Sequence, residues 1–276
     1  MADASVTAHL RSLYRKFIDG SHILHHHRVL DAYGHLSFRH PLKPDVFVMS
    51  RSIAPALISS LDDLVEYRVS DAEPVSPNPL KKGFAERHIH SEIYKQHKHI
   101  NAVVHSHSSA VIPYTITGVP LRACYHMAGF LGTEGVPVYN ISQLYGRDDT
   151  HDMLVRNEDL GAPLASLFED GNVVALMRGH GFTAVAESIE SAVFRAIYTQ
   201  KNAAIQSATM GMLAAATSIG DLTQEEEDIG VWYLSEEEAR ATTALTEWSV
   251  QRPWMLWVKE VEASELYVNS ADCVHE

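Results

Sequence analysis

Asn101-Ala-Val-Val-His-Ser-His-Ser108 is the stretch on which the reading of this 276-residue chain turns. A short apolar run, Ala102 to Val104, stops at two histidines, His105 and His107, with one serine between them. Alternate residues of a strand point to the same face, so both imidazoles project together from the strand's end. Histidine is the commonest metal-ligating side chain, and imidazole suits zinc, iron, nickel and copper. The rest of the chain is read by asking what completes that pair.

The bulk numbers narrow the field. Hydrophobic residues make up 46 % and charged residues 21 %, an ordinary globular composition. A net charge of −13 argues against an electrostatic nucleic-acid partner. No apolar run approaches the roughly 18 residues that span a bilayer, which argues against a membrane protein. The start, Met1-Ala-Asp-Ala-Ser, has no basic segment followed by an apolar one. Cys124 and Cys273 stand at no metal or redox spacing, so a reducing, cytoplasmic setting is expected. Histidine is unusually abundant at 17 residues, and the task is to separate ligands from bystanders.

Going outward from the central stretch, residues 7–30 carry helical spacing in Leu10, Leu13, Tyr14, Phe17 and Ile18, with His25-His26-His27 near the end. Three consecutive histidines point in three directions on a helix and cannot share one ion, so they read as a partly exposed terminus. Strands are expected at 36–39 and 46–49, and residues 62–69 read as a turn followed by a third strand, then a loop marked by Pro74, Pro77 and Pro79. Residues 84–99 read as a helix leading into the central strand, and 108–117 as an apolar helix or turn. A strand at 136–139 and a helix over 152–168 follow. Val173-Val-Ala-Leu-Met177 is the most strand-like run and returns through Arg178-Gly-His-Gly181 into a hairpin partner at 182–185. A long helix over 188–216, an acidic loop or helix start at 223–228 and a helix over 236–250 complete the chain. The last 25 residues hold Trp254 and Trp257 in an apolar patch and then lose periodicity.

His180 is the natural third imidazole, because flanking glycines let the backbone turn sharply and approach a ligand closely. Three neutral ligands leave coordination positions open, as a catalytic ion requires. Glu86, on the preceding helix, is the leading acid for proton transfer. At the i,i+4 spacing it can also pair with His90, which gives an alternative ligand set. His88, His97, His99 and His151 carry no spacing argument and read as surface or packing residues.

In order, Gly34-x-x-Ser-x-Arg39, Glu86-x-x-x-His90, Ala102-Val-Val-His-x-His107 and Gly179-His-Gly181 resemble the class II aldolase/adducin-head family, from about residue 10 to 210. The resemblance implies a three-layer α/β/α sandwich around a mainly antiparallel sheet, with residues 1–250 as the catalytic unit and 251–276 as a C-terminal extension. It also implies homotetramers with active sites between subunits. His105, His107 and His180 match the family's metal ligands, Glu86 its catalytic carboxylate, and zinc, manganese or iron its divalent ion. Trp254, Trp257 and Tyr267 then either bury in a neighbouring subunit or form a satellite cluster on their own chain.

Sugar-phosphate aldolases of this family hold phosphate with a Gly-Asn pair, a Thr-Gly turn and a Ser-Ser pair before the glutamate. Here those positions read Gly34-His35, Ser50-Arg51-Ser52-Ile53 and Phe84-Ala85, so a phosphorylated substrate is disfavoured. His126 stands where the family has a tyrosine proton donor. Met49-Ser-Arg-Ser52, Glu86 to Tyr94, Pro120 to Met127 and Leu176 to Gly181 are similar to the branch of pyridine-dicarboxylate decarboxylases, with iron oxygenases of hydroxyphenylpyruvates more distant. The resemblance thus implies a metal-dependent carbon–carbon lyase decarboxylating a small anionic hydroxyaromatic or 2-oxo acid. His35, Arg39, Ser50 and Arg51 are then substrate-binding and His126 a second catalytic group. A retro-aldolase on an unphosphorylated substrate, an iron oxygenase on an arylpyruvate and a non-catalytic interaction module are the alternatives.

Overall fold

The two stretches with the clearest period-two alternation, around residues 35–39 and 102–106, lie side by side in the computed structural model, which describes residues 2–78, 82–218 and 230–271. Seven strands form one sheet: β1 (His35–Arg39), β2 (Val46–Ser50), β3 (Leu64–Arg68), β4 (Ala102–Ser106), β5 (Val138–Tyr139), β6 (Val174–Met177) and β7 (Gly181–Ala186). Their order is β3-β2-β1-β4-β7-β6-β5, and every pairing is antiparallel except β5 with β6. Helices are α1 (Ala2–His26), α2 (Arg87–Gln96), α3 (Ile112–Ile116), α4 (Glu158–Ser166), α5 (Ile189–Ser218), α6 (Glu236–Ser249) and α7 (Gln251–Glu262). No helix among the described residues is long and apolar enough to cross a membrane.

Alternation sorts the strand residues into two cores, one on each face. Leu36, Phe38, Ala102, Val104, Phe182 and Ala184 pack with α1 and α5, whose Phe17, Ile18, Ile189, Val193 and Ile197 are buried. Phe47, Met49, Val103, Ala175, Met177 and Val185 face Ile89 and Ile93 of α2 and Leu160 and Leu164 of α4. The result is the expected α/β/α sandwich.

Three stretches depart from the sequence reading. The helix expected over 152–168 starts only at Glu158, because the Asn157 side chain caps it by accepting from the Leu160 N–H at 3.0 Å. Residues before Asn157 form a loop instead. The tail, read as losing periodicity, contains α7, in which Trp254, Trp257 and Val261 are buried at i, i+3 and i+7. Both tryptophans join the α1/α5 core of their own chain, and Tyr267 packs against that core. Glu86 is the residue before α2 rather than part of it. Pro79, Cys273 and the acidic stretch 223–228 lie outside the described residues.

The β6–β7 hairpin turns through Arg178, Gly179 and His180, with Met177 paired to Gly181. Gly179 takes a left-handed φ of 64°, which a side chain resists. Gly181 lies so close to β4 that a Cβ there would overlap the Ser106 carbonyl. Gly181→Ala is therefore expected to lose about 1–3 kcal/mol of stability by overpacking. A lowered midpoint in chemical denaturation would show it; an unchanged midpoint would mean that β4 and β7 can part without cost.

Candidate metal centre

Four side chains from separate segments converge at one end of the sheet. His105 sits in β4, buried, directly opposite His35 of β1 and Thr183 of β7. His107 follows just after β4 ends, and His180 lies in the β6–β7 turn. Glu86 precedes α2 without capping it, which leaves its carboxylate free to face the histidines. One ligand atom from each of Glu86, His105, His107 and His180 lies within 4.8 Å of the others. His90, the alternative ligand, is not in this group.

Two imidazoles are oriented from behind. His107 Nδ1 lies 3.3 Å from Asp31 Oδ2, and His180 Nδ1 lies 3.1 Å from the Met153 carbonyl oxygen. A carboxylate and a carbonyl only accept, so both Nδ1 atoms carry the proton and both Nε2 atoms present lone pairs. Those two Nε2 atoms stand 3.1 Å apart, and His105 Nε2 is also 3.1 Å from His107 Nε2. Facing lone pairs repel unless a cation lies between them. Nitrogens bound at about 2.1 Å to one ion are separated by about 3.0–3.4 Å at ordinary coordination angles, so the donor set fits a divalent metal.

Burial sets the charge states. It drives His105 well below the usual imidazole range and His180 to about 4, with neighbouring histidines adding to both shifts, so these ligands are neutral. Burial would raise the Asp31 carboxyl, but the N–H groups of Tyr33 and Gly34 and the nearby His107 hold it below the usual range. Burial pushes Glu86 up to about 7, offset in part by the Val155 N–H, which donates to Oε1 at 3.2 Å. Its Oε2 lies 3.6 Å from the Nε2 atoms of both His105 and His180. A bound cation would draw that carboxyl back towards ionisation.

Segment 153–155 thus holds two members of the centre through backbone atoms. Met153 adopts a left-handed φ of 68°, uncommon outside glycine, and its N–H donates to the Tyr145 hydroxyl at 2.8 Å. Asp31 and this segment escape a sequence reading that looks for side-chain motifs. The one available signal is Asp31-Ala-Tyr-Gly34, the pattern of an aspartate closing a turn on its own backbone.

The substrate-binding candidates separate. His35 lies beside His105, ring centroids 5.1 Å apart, and Phe84 packs over it at 4.7 Å. Ser50 is buried at the end of β2, and the β1–β2 register carried one step past β2 places Arg51 across from His35. Arg51 pairs with Asp63 through Nε and Nη2, both to Oδ1 at 3.0 and 2.9 Å.

Arg39 must be corrected. Four residues along β1 from His35, about 13 Å away, its guanidinium donates to the carbonyls of Pro44, Tyr94, His97 and Ile100. Four of its five donors are committed to carbonyls of α2, of the segment after it and of the β1–β2 connection, so it does not orient a substrate. His126 is exposed and packs on Tyr125 at 5.0 Å. It lines an apolar groove with Phe194, Tyr198, Trp248 and Leu256, which includes none of the four converging residues, and it is not a member of their group.

A profile of the class II aldolase and adducin N-terminal domain matches residues 11–207. The decarboxylase tropJ of Talaromyces stipitatus is 54 % identical over 264 residues, covering 93 % of this chain and 97 % of that protein. A 3,4-dihydroxyphthalate decarboxylase of Rhodococcus jostii is 29 % identical over 234 residues, covering 76 % of this chain and 87 % of its own. Among solved structures, an L-fuculose 1-phosphate aldolase of Glaciozyma antarctica superposes with a TM-score of 0.68 at 18 % identity, covering 95 % and 94 % of the two chains, a likeness of fold.

Because Asp31 sets the His107 tautomer, Asp31→Ala is expected to weaken divalent-metal affinity about 10- to 100-fold. Competition against a chromophoric chelator, with protein purified without a histidine tag, measures this. Unchanged affinity would show that His107 is oriented by packing alone.

Proposed function

The chain belongs to the class II aldolase and adducin family, and from that premise we propose that it is a divalent-metal-dependent decarboxylase of a hydroxylated aromatic acid. The observation that carries the reading is the buried Glu86 carboxyl facing three convergent imidazoles. The relatives' names point the same way: a decarboxylase across nearly the whole chain, and enzymes acting on 3,4-dihydroxyphthalate.

His105, His107 and His180 would hold zinc, manganese or iron. When bound, the ion supplies positive charge that stabilises the electron pair left when the carbon–carbon bond to the carboxylate breaks. Glu86 delivers its proton to the ring carbon that loses carbon dioxide, and the pair from the broken bond forms the new carbon–hydrogen bond. Burial favours its protonated form and a bound cation its ionised form, so the two opposing influences suit a group that must hold a proton and release it in one cycle.

Phe84 supports an aromatic substrate. It packs over His35 where sugar-phosphate aldolases carry the first hydroxyl of their phosphate-binding pair. A flat ring fits an apolar wall, whereas a phosphate there loses its donors. Arg51 keeps part of its fork uncommitted beyond Asp63, and with His35 and Ser50 it forms the side of the site suited to a substrate carboxylate. His126 would act only in an assembly, such as the homotetramer common in this family, where a neighbouring copy presents it to the centre.

Incubating the protein with hydroxyaromatic and 2-oxo acids, with Mn²⁺, Fe²⁺ or Zn²⁺, under air and nitrogen separates the possible reactions by mass spectrometry. Carbon dioxide released in equal amount to substrate lost, without oxygen uptake, is expected. Aldehyde release without carbon dioxide, or oxygen consumption, would overturn the proposal. Glu86→Gln is expected to keep its metal and lose about 10²- to 10⁴-fold in turnover, and undiminished turnover would remove Glu86 from the mechanism.

A further inference from the structure

Behind His35, a chain of hydrogen bonds runs from the metal centre into the core. His35 Nδ1 meets His90 Nε2 at 2.7 Å, His90 Nδ1 meets Ser37 Oγ at 2.6 Å, and Ser37 Oγ meets the Tyr94 hydroxyl at 2.7 Å. His90, Ser37 and Tyr94 are fully buried, and His35 is 3 % exposed. Phe47 stacks on His90 and packs against Tyr94, so apolar surface closes the inner end.

Counting protons fixes the direction of this chain. The four neutral groups carry four polar hydrogens and share three hydrogen bonds, so one hydrogen is left over. Placed on Tyr94, with its bond to Ser37 accepted rather than donated, it points into the core with no acceptor among the described residues. Placed on Ser37, with that hydroxyl accepting from both sides, it is equally stranded. A buried donor without an acceptor is costly. One arrangement keeps the surplus hydrogen out of the closed inner end: Tyr94 donates to Ser37, Ser37 to His90 Nδ1, and His90 Nε2–H to His35 Nδ1, whose Nε2 is not among the fully enclosed unpartnered atoms. The surplus hydrogen then sits on His35 Nε2, on the far side of the ring from His90.

We infer that the buried Tyr94–Ser37–His90 chain locks His35 as the Nε2–H tautomer, making it a fixed donor that selects a substrate with an anionic oxygen beside the metal centre. His90, Ser37 and Tyr94 are positioning residues, and His35 is the group that touches the ligand. Register places His35 level with His105, and the two rings stand 5.1 Å apart, so the donor belongs to a ring at the edge of the converging set. An oxyanion such as a carboxylate accepts there, whereas a group that can only donate meets an N–H it cannot pair with. The choice of a hydroxyaryl carboxylate as that acceptor rests on the proposed function; the tautomer does not.

Long-range ¹H–¹⁵N correlation spectra of metal-free protein report the tautomer, with the His35 signals identified by their loss in His35→Gln. A protonated Nε2 and an unprotonated Nδ1 are expected. A protonated Nδ1, alone or with Nε2, would overturn the inference. In His90→Gln, whose amide can donate or accept, the single tautomer is expected to give way to a mixture, with His90→Leu as the second variant if the first does not fold. Persistence of the pure Nε2–H form would remove the positioning role.

Calorimetry of zinc-loaded protein with salicylate tests the acceptor. His35→Leu is expected to bind about 10- to 100-fold more weakly at unchanged metal content. His35→Gln, which keeps an N–H near the same place, is expected to recover much of that loss. Equal affinity in wild type and His35→Leu would refute the donor while leaving the hydroxyaryl reading intact. A wild-type site indifferent to salicylate would instead refute that reading and the acceptor with it, whatever tautomer the spectra show.

Discussion

Pairing of β1 with β4, with His35 opposite His105, is the constraint on which the centre depends. Strand alternation then places His35, Ser37 and Arg39 on the face that meets α2, while Leu36 and Phe38 go to the opposite core. A one-residue slip would exchange the two sets, burying three polar side chains against α1 and α5 and turning His35 away from the centre. The hydrophobic pattern of β1 thus fixes where its polar residues act.

That face of β1 is a polar seam between the apolar β2 and the upper part of β4, and α2 is built to match it. His90 and Tyr94 reach Ser37 and His35, while the Tyr94 and His97 carbonyls take the Arg39 guanidinium, which also lies over the Tyr94 ring at 4.7 Å. Arg39 therefore serves the site at a distance, by holding the helix that carries the relay. Buried polar groups are tolerated here because each finds a partner.

The sandwich and the metal-ligand candidates were legible because strand periodicity and glycine placement leave a trace in residue order. The His-x-His after Val104 and the glycines around His180 pointed to the convergent imidazoles, and the family resemblance matched all three to metal ligands. Arg39 was misread because a motif gives a residue's place in line but not the direction of its side chain, and four positions along a strand reverse the end of the sheet it serves. The contributions of Met153 and Val155 come from a carbonyl and an N–H, which every residue has and no sequence pattern marks. Helix α7 was missed because its buried stripe is narrow and Pro253 stands in its first turn, where proline is compatible with a helix. His90 offered an i,i+4 spacing to Glu86 that suggested a ligand, and only the fold turns its ring towards His35.

The three imidazoles differ in what stands behind them. His107 leans on a carboxylate, His180 on a backbone carbonyl, and His105 Nδ1 is enclosed with no hydrogen-bond partner among the described residues. Imidazole basicity rises with the strength of the acceptor behind the ring. The trio is therefore graded, with His107 the strongest electron donor and His105 the weakest. Any ion they hold sits in an unsymmetrical field, least neutralised on the side of the sheet, where His35 stands.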